Sequence, residues 1–182
     1  RDAADACPIQ RGIVRRGNYR TFLREFREAP EFAFDIECTQ LFAHRPGEGK
    51  INCIAIAMPN KTWVIPNMRG YKFKEKGKKG KILTHRSAWL TRGDAFGVFM
   101  RGLYRWARRM KKRGIAHNGK FDSLWLRIHA GVDWRADFDT MIAHWMLDEN
   151  SLHGLKLLAQ TFAGAPNYDV DKDEKGGAGP LY

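Results

Sequence analysis

The sequence predicts a single α/β domain, one mixed sheet with helices around it, and three observations lead there. Residues 31–39 alternate apolar and polar as a half-buried strand does. Residues 51–58 and 62–65 are rich in apolar and β-branched side chains and are divided by Pro59 and Asn60, which reads as a hairpin. From residue 94 onward, segments of helical period alternate with short apolar runs, so three consecutive strands are followed by alternating helix and strand. With 182 residues the chain can bury one core of this kind and has little room for a second.

Residues 1–17 show little periodicity and read as an N-terminal extension to a domain over 18–165. Asn18 is placed to cap a short helix with Phe22, Leu23 and Phe26 on one face, and Pro30 ends it. In the strand that follows, Phe32, Phe34, Ile36 and Cys38 point one way, while Ala33, Asp35 and Glu37 point the other. Between residues 67 and 92 no period survives; Lys72, Lys74, Lys76, Lys78, Lys79 and Lys81 crowd around Gly77 and Gly80, which predicts a mobile basic loop. Asp94 then caps a helix whose core stripe is Phe96, Phe99, Leu103, Trp106 and Met110, with Arg101, Arg105, Arg108, Arg109 and Lys112 on the other side. Gly114 ends that helix. Residues 115–117 make a short buried parallel strand, 119–128 another helix, and Val132 to Phe138 a further strand. Helices near 140–147 and 152–162 follow, and the Gly, Pro and Asp of residues 166–182 predict a flexible tail.

A formal net charge of +12 and an isoelectric point near 9.9 favour a polyanionic partner, nucleic acid first of all. Mean hydropathy of -0.51 and the lack of an apolar run of membrane length argue against a bilayer. Cys7, Cys38 and Cys53 are scattered without a CxxC pair, so neither a disulfide framework nor structural zinc is indicated, and a reducing, cytoplasmic compartment fits. Zinc hydrolases and P-loop NTPases are set aside: there is no HExxH, and neither Gly49-Lys50 nor Gly80-Lys81 has a glycine at the Walker spacing. The chain begins at Arg1 without the order of a signal peptide, and it reads as an excerpt or a trimmed product.

Asp35 and Glu37, one residue apart on a strand, project side by side and can grip a divalent ion. Phe32, Phe34 and Ile36 make this a core strand, where unpaired acids are costly without a cation. A second signal is Asn118-Gly119-Lys120-Phe121-Asp122 between an apolar strand and a helix, with Gly119 relaxing the turn so that Asp122 can face the first pair. Hydrolysing a phosphodiester requires an activated water and a stabilised leaving oxygen, which two metals about 3.5 to 4 Å apart supply together. Hard oxygen ligands suit magnesium or manganese.

Together these segments resemble the 3′-5′ proofreading exonuclease domain of the DNA polymerase I type, family A, within the DEDD exonuclease group. Phe34-Asp35-Ile36-Glu37 matches its first motif, and Asn118, Phe121 and Asp122 match its second. The likeness continues through Phe138-Asp139-Thr140-Met141 and His153-Gly154-Leu155-Lys156-Leu157-Leu158-Ala159, spanning roughly Phe32 to Phe162. The resemblance implies a ribonuclease H-like fold, two magnesium or manganese ions in the complete site, a single-stranded DNA 3′ end as substrate, and a polymerase domain in the same or another chain. A bacterial or phage-like replication context goes with it. By the same resemblance, Asp35 bridges both ions, Glu37 holds the tighter one and Asp122 the looser one. Asn118, Leu41 and Phe138 then contact the nucleic acid, Leu41 as a wedge and Phe138 as a stacking face. The basic loop lysines, with Arg105 and Arg109, are expected to hold its phosphates.

Two departures are visible. Cys38-Thr39-Gln40 stands where threonine, acid or glycine is commoner, and the family's Tyr-x-x-x-Asp is absent: Tyr168 is followed four residues on by Lys172. Asp169, Asp171 and Asp173 lie nearby in an irregular stretch. The expectation is therefore a chain that stops before its fourth acid and is a poor exonuclease by itself. The alternatives are a stand-alone exoribonuclease of the same group and a catalytically dormant nucleic-acid-binding module.

Overall fold

The structure is a computed structural model that describes residues 10–39, 43, 49–67, 72–76, 82–86 and 94–165, with backbone alone for 72–76 and 82–86. The described residues divide into a larger unit, 10–140, and a smaller one, 141–165.

The larger unit holds a six-stranded sheet in the order β1-β4-β3-β2-β7-β8. Its elements are β1 (Gln10–Ile13), α1 (Tyr19–Glu28), β2 (Glu31–Cys38), β3 (Ile51–Met58), β4 (Lys61–Pro66), α2 (Ala95–Arg109), β7 (Arg113–Ala116), α3 (Gly119–Ala130) and β8 (Phe138–Asp139). β3 alone runs antiparallel to both its neighbours; the other pairings are parallel. This is the mixed α/β architecture expected, with the β3–β4 hairpin turning at Pro59 and Asn60.

Alternation decides the packing of β2. Phe32, Phe34 and Ile36 are buried, while Asp35 and Glu37 lie exposed on the other face. The Phe26 ring sits 5.0 Å from Phe32 and 5.9 Å from Trp106, so α1 and α2 meet over the apolar face, and Trp134 packs 5.6 Å from Phe34. Each large apolar side chain buried in this way stabilises the fold by about 1.5 to 3 kcal/mol.

Five differences from the sequence reading have physical reasons. The aperiodic residues 10–13 form edge strand β1, too short to show alternation; Gly12 lets it lie on Trp63, where an added Cβ would come within 2.8 Å of the ring. The expected basic loop contains a two-stranded antiparallel ladder, β5 (Lys72–Lys76) with β6 (Ile82–Arg86). Lys72, Lys74 and Lys76 fall on β5, whereas Lys78, Lys79 and Lys81 lie outside the described residues. The expected strand from Val132 shrinks to the two residues of β8, although Val132 and Trp134 are buried in irregular backbone. Asn18 and Asp94 stand at the N-cap positions of α1 and α2 as expected, but their side chains do not cap helix amides: Asn18 Oδ1 accepts from Arg15 N at 2.6 Å, and Asp94 pairs with Arg101 at 2.6 Å. Finally, α2 does not run to Gly114, and its buried stripe is Phe96, Met100, Leu103 and Ala107, with Met110 40% exposed.

The true stop of α2 is a Schellman cap. Lys111 N donates to Arg108 O at 3.1 Å and Lys112 N to Ala107 O at 3.0 Å, with Lys111 left-handed at φ 52°. That position favours glycine, so a lysine there hid the helix end from the sequence.

In the smaller unit, α4 (Thr140–Leu147, its first residue belonging to the larger unit) and α5 (Leu155–Ala163) contain no buried residue. His144 and His153 share a hydrogen bond between their Nδ1 atoms at 2.7 Å, and the Phe162 ring packs edge-on against His144 at 5.6 Å. No helix among the described residues is long and apolar enough to cross a membrane.

Candidate active site

The first two acids owe their placement to strand period and the third to the end of a ladder. β2 pairs with β7 only as far as Ala33 and Ile115. Beyond that point α3 takes the place of the strand, and Asp122 in its first turn accepts a hydrogen bond from Ile36 N at 2.9 Å, bridging 86 residues of sequence. Asp122 thus supplies the acceptor that an N–H at an interrupted ladder needs. Its carboxylate is set against the backbone between Asp35 and Glu37 and is only 3% exposed.

The turn into α3 is built to aim this residue. Asn118 adopts a left-handed conformation at φ 56°. Asp139 on β8 accepts from Asn118 N at 3.0 Å and from Gly119 N at 2.8 Å, satisfying orphan donors at the helix start. Gly119 has no room for a side chain, because an added Cβ would meet the Ala116 Cβ at 2.7 Å. Asn118 Oδ1 is buried without a hydrogen-bond partner among the described residues.

On the other side of β2 the register places Cys53 of β3 opposite Glu37 and then slips, so that Cys38 pairs with Ile51. Such an irregularity next to an acid re-aims the side chains beside it.

The electrostatics are those of crowded acids. Loss of water pushes the Asp35 carboxyl up to about 6 although part of its surface stays exposed, and the charge of Glu37 adds to the effect. Burial pushes Asp122 up to about 7; the Ile36 N–H pulls the other way, and the charges of Asp35 and, last, Asp139 raise it further. Burial also lifts the Cys53 thiol to about 11, with Glu37 and Asp35 contributing. All-oxygen, mutually repelling acids are a donor set that a hard divalent cation suits. Among the described residues, no three His, Cys, Asp or Glu side chains are already gathered at coordinating distance, Asp122 being turned onto the β2 backbone.

Other expected site residues are more dispersed. Phe138 is 44% exposed on β8, whose partner residue there is Ile115. Arg105 and Arg109 are exposed on the last two turns of α2, toward the start of β7 and not its end. Leu41, Asp169, Asp171 and Asp173 lie outside the described residues. Sequence reading did not single out Asp139 or Cys53; the first belonged to a matched motif without a role, and the second depends on cross-strand register.

Comparisons with known proteins bear on this arrangement. A 3′-5′ exonuclease family model matches residues 17–179. The DNA polymerase of Escherichia phage T5 is 36% identical over 67 residues, covering 33% of this chain and 8% of that polymerase. Among solved structures, the catalytic core of RRP6 from Trypanosoma brucei has a TM-score of 0.57 at 13% identity, covering 86% of this chain and 35% of that one. NrnC of Brucella melitensis bound to pGG has a TM-score of 0.54 at 20% identity, covering 96% and 69%. The fold these likenesses share is ribonuclease H-like. The chain belongs to the 3′-5′ exonuclease domain family of the DNA polymerase I type, and it is a hydrolase of that class.

Proposed function

We propose that this chain trims single-stranded DNA from the 3′ end with magnesium or manganese, as the proofreading domain of a family A polymerase, and that Asp35, Glu37 and Asp122 carry the reaction. One observation supports this most: the Asp122 carboxylate rests on the Ile36 N–H, between the two strand acids. DNA is preferred because the local sequence likeness is to a DNA polymerase.

Asp35, Glu37 and Asp122 would hold the cations, which when bound polarise the phosphate and activate water. The protein's own part is to fix these acids on a rigid strand and a pinned helix start. In the metal-free site the Asp122 carboxyl, raised to about 7, is partly protonated near neutrality, whereas the Asp35 carboxyl, raised to about 6, takes up its proton only below it, so cation binding would compete with protons as pH falls. Phe138 offers an exposed aromatic face for a terminal base without reading sequence.

The test is magnesium-dependent trimming of matched DNA and RNA single strands. Asp35→Ala should lower trimming by about a thousandfold while circular dichroism stays native. Trimming by that variant at the wild-type rate would remove Asp35 from the reaction. Preference for the RNA strand would transfer the substrate to the exoribonucleases of the group.

A further inference from the structure

The far end of β7 from the acids carries a feature that folding does not require. Lys111 occupies the left-handed position of the α2 cap, where glycine would be unstrained, and its side chain is exposed. Lys112 is the opposite case. It is 7% exposed, and its Nζ donates to the carbonyls of Arg27, at 2.9 Å, and Ala29. Those are orphan acceptors at the end of α1, so the lysine ties the carboxyl ends of α1 and α2 into one junction. Around it Arg27, Arg105, Arg109 and Lys111 are exposed and carry no ion pair among the described residues, with the carboxylate of Glu28 nearby in sequence. Arg108 and Arg113, in contrast, are neutralised by Asp137 and Glu31.

We propose that this junction is a second nucleic-acid contact, a rigid cationic platform for the phosphodiester backbone of the substrate upstream of the 3′ end held by the acids. The inference rests on the exonuclease reading and extends its reach. β2 and β7 run parallel with Glu31 opposite Arg113, and Asp35 lies about 13 Å further along β2 at the usual rise per residue. Platform and acids therefore stand at opposite ends of β2 and on opposite faces of it, the acids on the side away from α1 and α2, so only a substrate longer than a dinucleotide that rounds the sheet reaches both. A protein partner would call for an apolar centre, whereas Met110 is the exposed large apolar residue of this junction. Unpaired guanidinium and ammonium groups without such a centre match phosphates.

The test uses the full chain in chelator, so that no cleavage is read, with labelled single-stranded DNA and a dinucleotide in fluorescence anisotropy. Combining Lys111→Gly with Arg105→Gln and Arg109→Gln should weaken binding of the long strand by about tenfold and lower the slope of log affinity against log salt by about 2, with dinucleotide affinity unchanged. Lys111→Gly alone should raise the melting temperature and still weaken long-strand binding, opposite signs that separate contact from folding. Unchanged long-strand affinity and slope in the triple variant would overturn the proposal, as would a surface that binds poly-glutamate and leaves nucleic-acid binding unaffected. If the wild type binds the long strand through these residues while Asp35→Ala trims with magnesium at the wild-type rate, the metal-site reading fails and the platform stands.

Discussion

The two ends of β7 solve the same geometric problem by different means. Each is flanked by a non-glycine residue in the left-handed region, Lys111 before the strand and Asn118 after it. At the start, backbone groups of one helix absorb the strain through the two bonds of the α2 cap. At the finish, a side chain from a different strand does so, since Asp139 holds the Asn118 and Gly119 amides. Asparagine also tolerates this conformation better than lysine. The start is thus a helix stop carrying a displayed charge. The finish is an aiming device, because the first turn of α3 must bring Asp122 onto Ile36.

Breaking the finish should have the largest effect. Asp139→Ala strips the acceptor from two backbone amides and should lower stability by about 2 kcal/mol. Trimming should fall by about a hundredfold, more than the loss of folded protein explains. Thermal melts beside a trimming assay decide this, and activity that merely tracks the folded fraction would reduce Asp139 to a cap.

Asp122→Asn sharpens the same point through charge. The folded carboxyl is raised from 3.8 to about 7, so its contribution to stability is full below 3.8 and is lost as pH rises through about 7. In chelator the asparagine variant should therefore gain on the order of 2 kcal/mol over wild type above neutrality. That gap should close toward acid pH in melts across the range. A gap that ignores pH would mean that Asp122 is not a raised carboxyl.

The smallest effects test the asymmetry itself. Lys111→Gly should stabilise by about 1 kcal/mol, and Asn118→Gly by only a few tenths. Urea midpoints measure both, and equal gains would erase the distinction between the two ends.

Much of this was legible because local pattern and tertiary role agree. The alternation of Phe32, Asp35, Ile36 and Glu37 already states which side faces the core, and Pro59-Asn60 states where the hairpin turns. Legibility failed where a partner distant in sequence decides. β1 is four residues long and exists only beside β4. The place of Cys53 depends on cross-strand register. The end of α2 was misread because lysine holds a glycine position, and Gly114 instead lies within β7. For the acids, sequence supplied the residues, while the burial of Asp122 and the Ile36 amide that receives it are products of assembly.

The order of strands also bears on how the domain comes together as it folds. β2, β3 and β4 form a meander of neighbours, so Asp35 and Glu37 can be laid out by local pairing with little loop entropy to overcome. The bond from Ile36 to Asp122 closes a loop of 86 residues and depends on β7 having docked beside β2. A chain with only its hairpins formed presents two acids and no third, so cation affinity should appear late in refolding, together with the long-range half of the sheet.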